Sequence, residues 1–312
     1  MATRRYLNNK VATSSFLLPV AIVLSLLLWL SQGISNIRVD LGLVACLSCT
    51  ALMMELNNAN VLIRVRSRMV SATFIVLWSV CVFLRPVQWA HLAALCLILA
   101  YHSLFRAYQH TNATAEAFNA FLCIGVSTIV APPLLLLAVP FMVSFAWFQA
   151  MSLRAFFAML LGLVVPFWIV AGTAFLTDSF TALVNYVNSW LDWSVSDYGK
   201  LNVFQVAMGV LLLLLDLIAG VHTLGSSFKD KIKTRVLYYF ISWMTFALFL
   251  MLAAFPRYYD TILALVIVTS SPLIAHFYTL ACHKLVGILF IFTLVILAAI
   301  ALSNIWMPSF QY

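Results

Sequence analysis

Long apolar blocks, broken by short clusters of charge, Asn, Gly and Pro, repeat along the whole chain. A helix crosses hydrocarbon in about 20 residues, with a usable range of about 17–25. Cutting the chain at its charges and turn residues leaves eleven blocks near that scale: 16–34, 41–56, 70–84, 89–106, 117–131, 133–150, 155–176, 203–221, 236–255, 260–281 and 285–307. The second and fifth are short enough to be half-spans or tilted re-entrant pieces, so the expected count runs from 9 to 11. The predicted fold is all-α, a polytopic transmembrane helical bundle forming one integral membrane domain over residues 1–312. The first block follows a basic segment, as in a signal peptide, but it is long and lacks a small-x-small cleavage site. It reads as an uncleaved first span.

Between 177 and 202 the pattern changes. Phe180, Leu183, Val184, Val187, Trp190 and Leu191 recur at helical spacing, with Thr181, Asn185, Asn188, Ser189 and Asp192 between them. This predicts an amphipathic helix in the outer interface, started by Asp178 and anchored by Trp190 and Trp193. Pro132-Pro133 predicts a turn, whereas Pro140, Pro166 and Pro272 fall inside blocks and predict kinks.

Composition sharpens the picture. The 312 residues are 65% hydrophobic and 8% charged, against about 25% charged in a soluble domain. So few charges cannot coat a soluble core of this size, and disorder needs the opposite composition. The net charge of +8 is dispersed in clusters between apolar blocks, which suits membrane topology and excludes a nucleic-acid face. With eleven spans and the N-terminus inside, Arg4, Arg5, Lys10, Arg64, Arg66, Arg68, Arg106, Arg154, Lys229, Lys231, Lys233, Arg235 and Lys284 fall on the cytoplasmic side. Only Arg38, Arg85, Lys200 and Arg257 fall opposite. That asymmetry follows the positive-inside rule and puts the C-terminus on the periplasmic side. Cys46 and Cys49 make a C-x-x-C without a second pair, inside an apolar block, and read as packing residues.

A few residues carry candidate chemistry. Asp216 interrupts a leucine run, roughly 7–8 Å inside the cytoplasmic end of its block at 1.5 Å per residue. An acid at that depth needs a partner, a proton or a water-filled cavity, which makes it a candidate substrate or proton site. Arg154, in the tight link Met151–Ala155, is the second such candidate, because a guanidinium grips phosphate or carboxylate in two places. Arg64, Arg66, Arg68, Lys229, Lys231, Lys233 and Arg235 are candidate contacts for anionic headgroups. His102, His222, His276 and His283 lie toward the cytoplasmic ends of their blocks and are the only candidate metal ligands. They lack the tight histidine boxes of membrane desaturases, and no cofactor is predicted, iron being the one considered.

From Asn57 to about Phe175 the chain resembles a family of uncharacterised bacterial multi-pass inner-membrane proteins. The resemblance rests on Leu56-Asn57, Phe118-Asn119-Ala120-Phe121, Pro140-Phe141, Ser152-Leu153-Arg154-Ala155-Phe156, Gly162 and Pro166-Phe167-Trp168. It implies a bacterial cytoplasmic membrane and draws attention to Arg154. Some similar proteins carry the label of carotene-cleaving monooxygenase, which would require iron on several histidines. The function expected is non-enzymatic: transport or holding of a lipid or lipid-linked envelope precursor, with membrane lipids and a lipid-linked substrate as partners. Two alternatives stand beside it. One is a membrane enzyme, either an iron-dependent oxygenase of a carotenoid-like substrate or a lipid-linked glycosyl transferase. The other is a structural subunit of an envelope complex with a partner membrane protein.

Overall fold

A computed structural model describes residues 6–31, 37–188 and 198–306. The described residues are helical, with no strand among them. In chain order the helices are α1 (Leu7–Ala12), α2 (Leu17–Leu30), α3 (Ile37–Asn60), α4 (Met69–Val80), α5 (Trp89–Arg106), α6 (Thr114–Val130) and α7 (Ala138–Trp147). They continue as α8 (Leu153–Leu176), α9 (Phe180–Asn188), α10 (Val203–Ser226), α11 (Ile232–Ala254), α12 (Tyr259–Leu280) and α13 (Lys284–Trp306). Seven helical segments of the described residues are long and apolar enough to cross a membrane: α3, α5, α8, α10, α11, α12 with the turn before it, and α13. The protein is a helical membrane protein. Large apolar side chains such as Trp168, Leu176, Val221 and Ile288 stand exposed, as lipid requires and water penalises.

Helix limits differ from the sequence expectation where polar residues continue a helix. The block 41–56 reads as short because Asp40 and Asn57 bound it, yet α3 runs for 24 residues. Asn60 Nδ2 donates to the Leu56 carbonyl, and Asn57 Nδ2 donates to Ser67 O beyond the turn. These amides are absorbed at the helix end. Pro140 lies in the first turn of α7, at its junction with the 3-10 helix that precedes it. Pro132 and Pro133 open a six-residue 3-10 helix. Pro166 and Pro272 are inside α8 and α12.

The chain divides into two compact units. The first comprises Met1–Ala94, Lys200–Phe249 and Asp260–Tyr312. Its centre is α12, in which every residue from Ile262 to Thr279 is buried. Contacts gather at two ends of this unit. At one, Asn8 and Asn9 of α1 donate to the carbonyls of Tyr278, Thr279 and Ala281, Ser67 bonds Ala12 O, and Thr234 reaches Val61 O. At the other, Arg85 donates Nη1 to Leu28 O at 2.7 Å and Nε to Ser79 O at 2.9 Å, and Val87 N donates to Arg38 O at 2.8 Å. Leu28 and Ser79 lie in the last turns of α2 and α4, so the fully buried guanidinium sits on the negative ends of two helices. Burial lowers the Arg85 pKa to about 10, which leaves it charged at neutral pH.

The second unit comprises Leu95–Gly199 and Leu250–Tyr259. Its rings pack between helices: Tyr101 stacks on Phe141 at 5.9 Å, and Phe121 meets Phe145 at 6.3 Å. α6 and α8 touch backbone to backbone. A Cβ at Gly162 would lie 2.4 Å from the Phe118 carbonyl oxygen, and one at Gly125 would lie 2.8 Å from that of Leu163. Only glycine permits this approach. The region expected to form the interfacial helix contains α9, whose Tyr186 hydroxyl bonds Ile129 O at the end of α6. Trp190, Asp192 and Trp193 lie outside the described residues. Asp178 does not start α9. It has φ 50 immediately after α8, in a left-handed turn closed by Ser179 N donating to Ala174 O at 2.9 Å.

Candidate functional site

Helices α10 and α12 pair through three polar contacts. Gln205 Nε2 donates to Asp260 Oδ1 at 2.6 Å, Ser270 Oγ donates to Asp216 Oδ2, and Thr223 Oγ1 lies 3.4 Å from His276 Nδ1. The separations in sequence are 55, 54 and 53. A near-constant offset requires two helices that run parallel, side by side. Gln205, Asp216 and Thr223 are also spaced by multiples close to 3.6, which keeps them on one face of α10. The opposite face, with Val206, Val210, Leu214, Leu217 and Val221, is apolar and exposed. The result is a polar ladder of three rungs inside the first unit.

The middle rung is the sequence candidate Asp216. It is the fourteenth of the 24 residues of α10, and about 15 Å separates it from Ser226 at 1.5 Å per residue. This corrects the expected position near the inner end: the helix continues past Leu224, so the acid stands near mid-helix. Asp216 is buried, and its Oδ1 has no hydrogen-bond partner among the described residues. A carboxyl with one satisfied and one unsatisfied oxygen, placed centrally in a membrane helix, can hold a proton or receive a donor from a cargo molecule.

The third rung leads to the surface. His276 Nε2 is 3.1 Å from Asp230 Oδ2, and Asp230 Oδ1 is 3.7 Å from Arg64 Nη1. Arg64 Nη1 also reaches Lys229 O at 3.5 Å. The Tyr238 ring packs on His276 with centroids 4.5 Å apart, and His222 lies at 6.3 Å. The Arg64–Asp230 pair has a consequence for the basic clusters. Arg64, Arg66 and Arg68 are 165 residues from Lys229 in the sequence at the nearest bonded pair, yet the fold joins their loop to the 229–235 segment. Arg64, Arg66, Arg68, Lys229 and Lys231 are exposed there, with Lys233 and Arg235 half-buried.

Other sequence candidates are distributed differently. Arg154 is exposed at the start of α8, in the second unit, where Ser152 caps the helix by accepting from Ala155 N at 3.1 Å. His102 is also in the second unit, buried in α5. His283 falls on the exposed turn after α12, so it does not share a helix with His276. Among the described residues no group of three or more His, Cys, Asp or Glu is placed to hold a metal. Cys46 and Cys49 are buried in α3.

The chain matches no family model, no curated protein and no solved structure. Its site is therefore read from its own residues. Asp230, Ser270, Thr223, Gln205 and Asp260 are the ladder residues that sequence reasoning passes over. The run Thr269-Ser270-Ser271-Pro272, three consecutive hydroxyls within the otherwise apolar stretch 262–275, is the signal that points to the middle rung.

Proposed function

We propose that this chain is a carrier in the bacterial cytoplasmic membrane that moves or holds a lipid or lipid-linked envelope precursor. The observation that carries this reading is the buried polar ladder between α10 and α12, which leads through Asp230 to a basic face. Polar groups in the middle of apolar helices are costly unless a function or a partner holds them. Transporters place substrate and ion sites near the middle of their membrane helices, and basic faces at the membrane surface attract anionic headgroups. In this reading the basic face receives the headgroup, and Asp216 binds a proton or a polar group of the cargo. Arg154 supplies a separate basic anchor in the second unit.

The topology proposed with it has eleven crossings, the N-terminus inside and the C-terminus outside, with α9 in the outer interface. The contacts at the two ends of the first unit support this count. Residues 8–12, 61–67, 229–234 and 278–281 meet at one end, and 28, 38, 79 and 85–87 meet at the other. That arrangement makes even the short helices α2 and α4 run the distance between the ends.

The test is native mass spectrometry of the protein released gently from its own membrane, with a lipid-flipping measurement in proteoliposomes carrying fluorescent phosphatidylglycerol. A lipid bound at fixed stoichiometry is expected. Asp216→Asn is expected to abolish flipping at near wild-type expression and melting temperature. Bound iron without lipid overturns the reading in favour of an oxygenase, and a stoichiometric partner protein without lipid favours a structural subunit.

A further inference from the structure

His276 is set between two acceptors. Thr223 gives its own hydroxyl proton to the Ala219 carbonyl at 2.7 Å, so toward His276 Nδ1 its oxygen can only accept. Asp230, facing Nε2 at 3.1 Å, has only acceptor oxygens when ionised. A neutral imidazole has one N–H and satisfies one of the two, whereas an imidazolium has two and satisfies both.

The groups facing this ring are few. Among the described residues, His222 and Thr223 come from α10, Asp230 from the turn after it, Tyr238 from α11, and Arg64 from the α3–α4 loop, with Lys229 acting on the neighbouring His222. Asp230 is the single acid among them, and its side chain is 4% exposed, whereas that of Arg64 is 41% exposed. The 3.7 Å contact between Arg64 and Asp230 is longer than a hydrogen bond. Arg64 thus stands between a buried carboxylate and the basic face. A phosphate arriving at that face competes for the guanidinium, and when it wins, Asp230 loses a positive neighbour. A proton taken up on His276 restores the charge balance.

We propose that His276 is a proton-binding site held by Asp230 and Thr223, and that Arg64 couples its protonation to capture of a phosphate group on the basic face. The inference rests on the headgroup role proposed for that face and deepens it by naming the coupling ion. The atoms balance simply: one solvent proton binds the free ring nitrogen, and Arg64 exchanges one anionic partner for another with no covalent step. Linkage is reciprocal, so acid conditions tighten phosphate binding to the extent that binding draws in protons.

The experiment is calorimetric titration of the protein, held in phosphatidylcholine nanodiscs, in buffers of differing ionisation enthalpy. Dihexanoyl phosphatidylglycerol and inorganic phosphate are the two probes. Wild type is expected to take up about one proton per lipid bound near neutral pH, with affinity rising by up to about tenfold for each unit of acidification. Arg64→Gln, at an exposed position, is expected to fold normally and to bind with little proton uptake. His276→Gln is expected to bind with no uptake and no pH dependence. Equal affinity and uptake with inorganic phosphate identify the free ion as the ligand and overturn the lipid source, while coupling stands. Absence of binding by either probe overturns the headgroup role and this coupling together. Binding by wild type without proton uptake, or uptake that survives both variants, overturns the coupling alone.

Discussion

Val61 has φ 49, a left-handed conformation that a β-branched residue adopts only under constraint. It follows α3 directly, closes a turn in which Leu62 N donates to Asn57 O at 3.3 Å, and opens the loop that carries Arg64. Glycine is the residue such a helix end prefers. Val61→Gly is therefore expected to stabilise the protein by about 1 kcal/mol, read as a raised melting temperature, while loosening the Arg64 loop. Ser270 makes the opposite prediction. It supplies the hydrogen bond to Asp216, whose other oxygen has none among the described residues. Ser270→Ala leaves the buried carboxyl unsupported, with an expected loss of about 1–3 kcal/mol in thermal unfolding. Asp216 is legible in the sequence because an acid in a leucine run has no packing role. Ser270 is less so, because a helical serine commonly bonds the carbonyl one turn back, as Ser271 does with Ile267. Asp230 is masked by the four cations around it, and its histidine partner is 46 residues away.

At the scale of elements, the apolar blocks convey nearly all the helix positions, since the 20-residue scale is set by lipid and not by packing. What they do not convey is which helix faces which. α12 is the less apolar of the last two helices in sequence, yet it is buried along its length, while α13 exposes Leu285, Ile288 and Phe292. The difference lies in the polar residues that need company: Asp260, Ser270 and His276 are on α12, while the polar side chains described within α13 are few. Small residues convey a second pairing. Gly162 allows α8 to lie against the α6 backbone. Gly162→Val should force the two helices apart and cost about 1–3 kcal/mol, measured as lowered thermal stability of the purified protein. The same substitution at Gly172, where a Cβ would meet nothing within 4 Å, is expected to be near neutral.

For the whole molecule, the orientation proposed above can be tested at a native residue. Cys282 is exposed on the turn between α12 and α13, at the end of the first unit that carries the basic loops, while Cys46, Cys49, Cys81 and Cys96 are buried. A membrane-impermeant maleimide is expected to label Cys282 in inside-out vesicles and not in intact cells. Labelling from outside would reverse the topology and remove the basic face from the cytoplasm. The layout of the first unit also constrains how the protein is made. Asn8 and Asn9 are tied to carbonyls at positions 278–281, about 270 residues further along the chain. A ribosome adds roughly 5–20 residues per second, so those asparagines wait for their acceptors through most of translation. The second unit's α6–α8 pair, by contrast, closes over a short stretch of chain. The segment synthesised early is thus among the last to be fully seated, and a chain stopped before α12 leaves the two asparagines of α1 without their carbonyl acceptors.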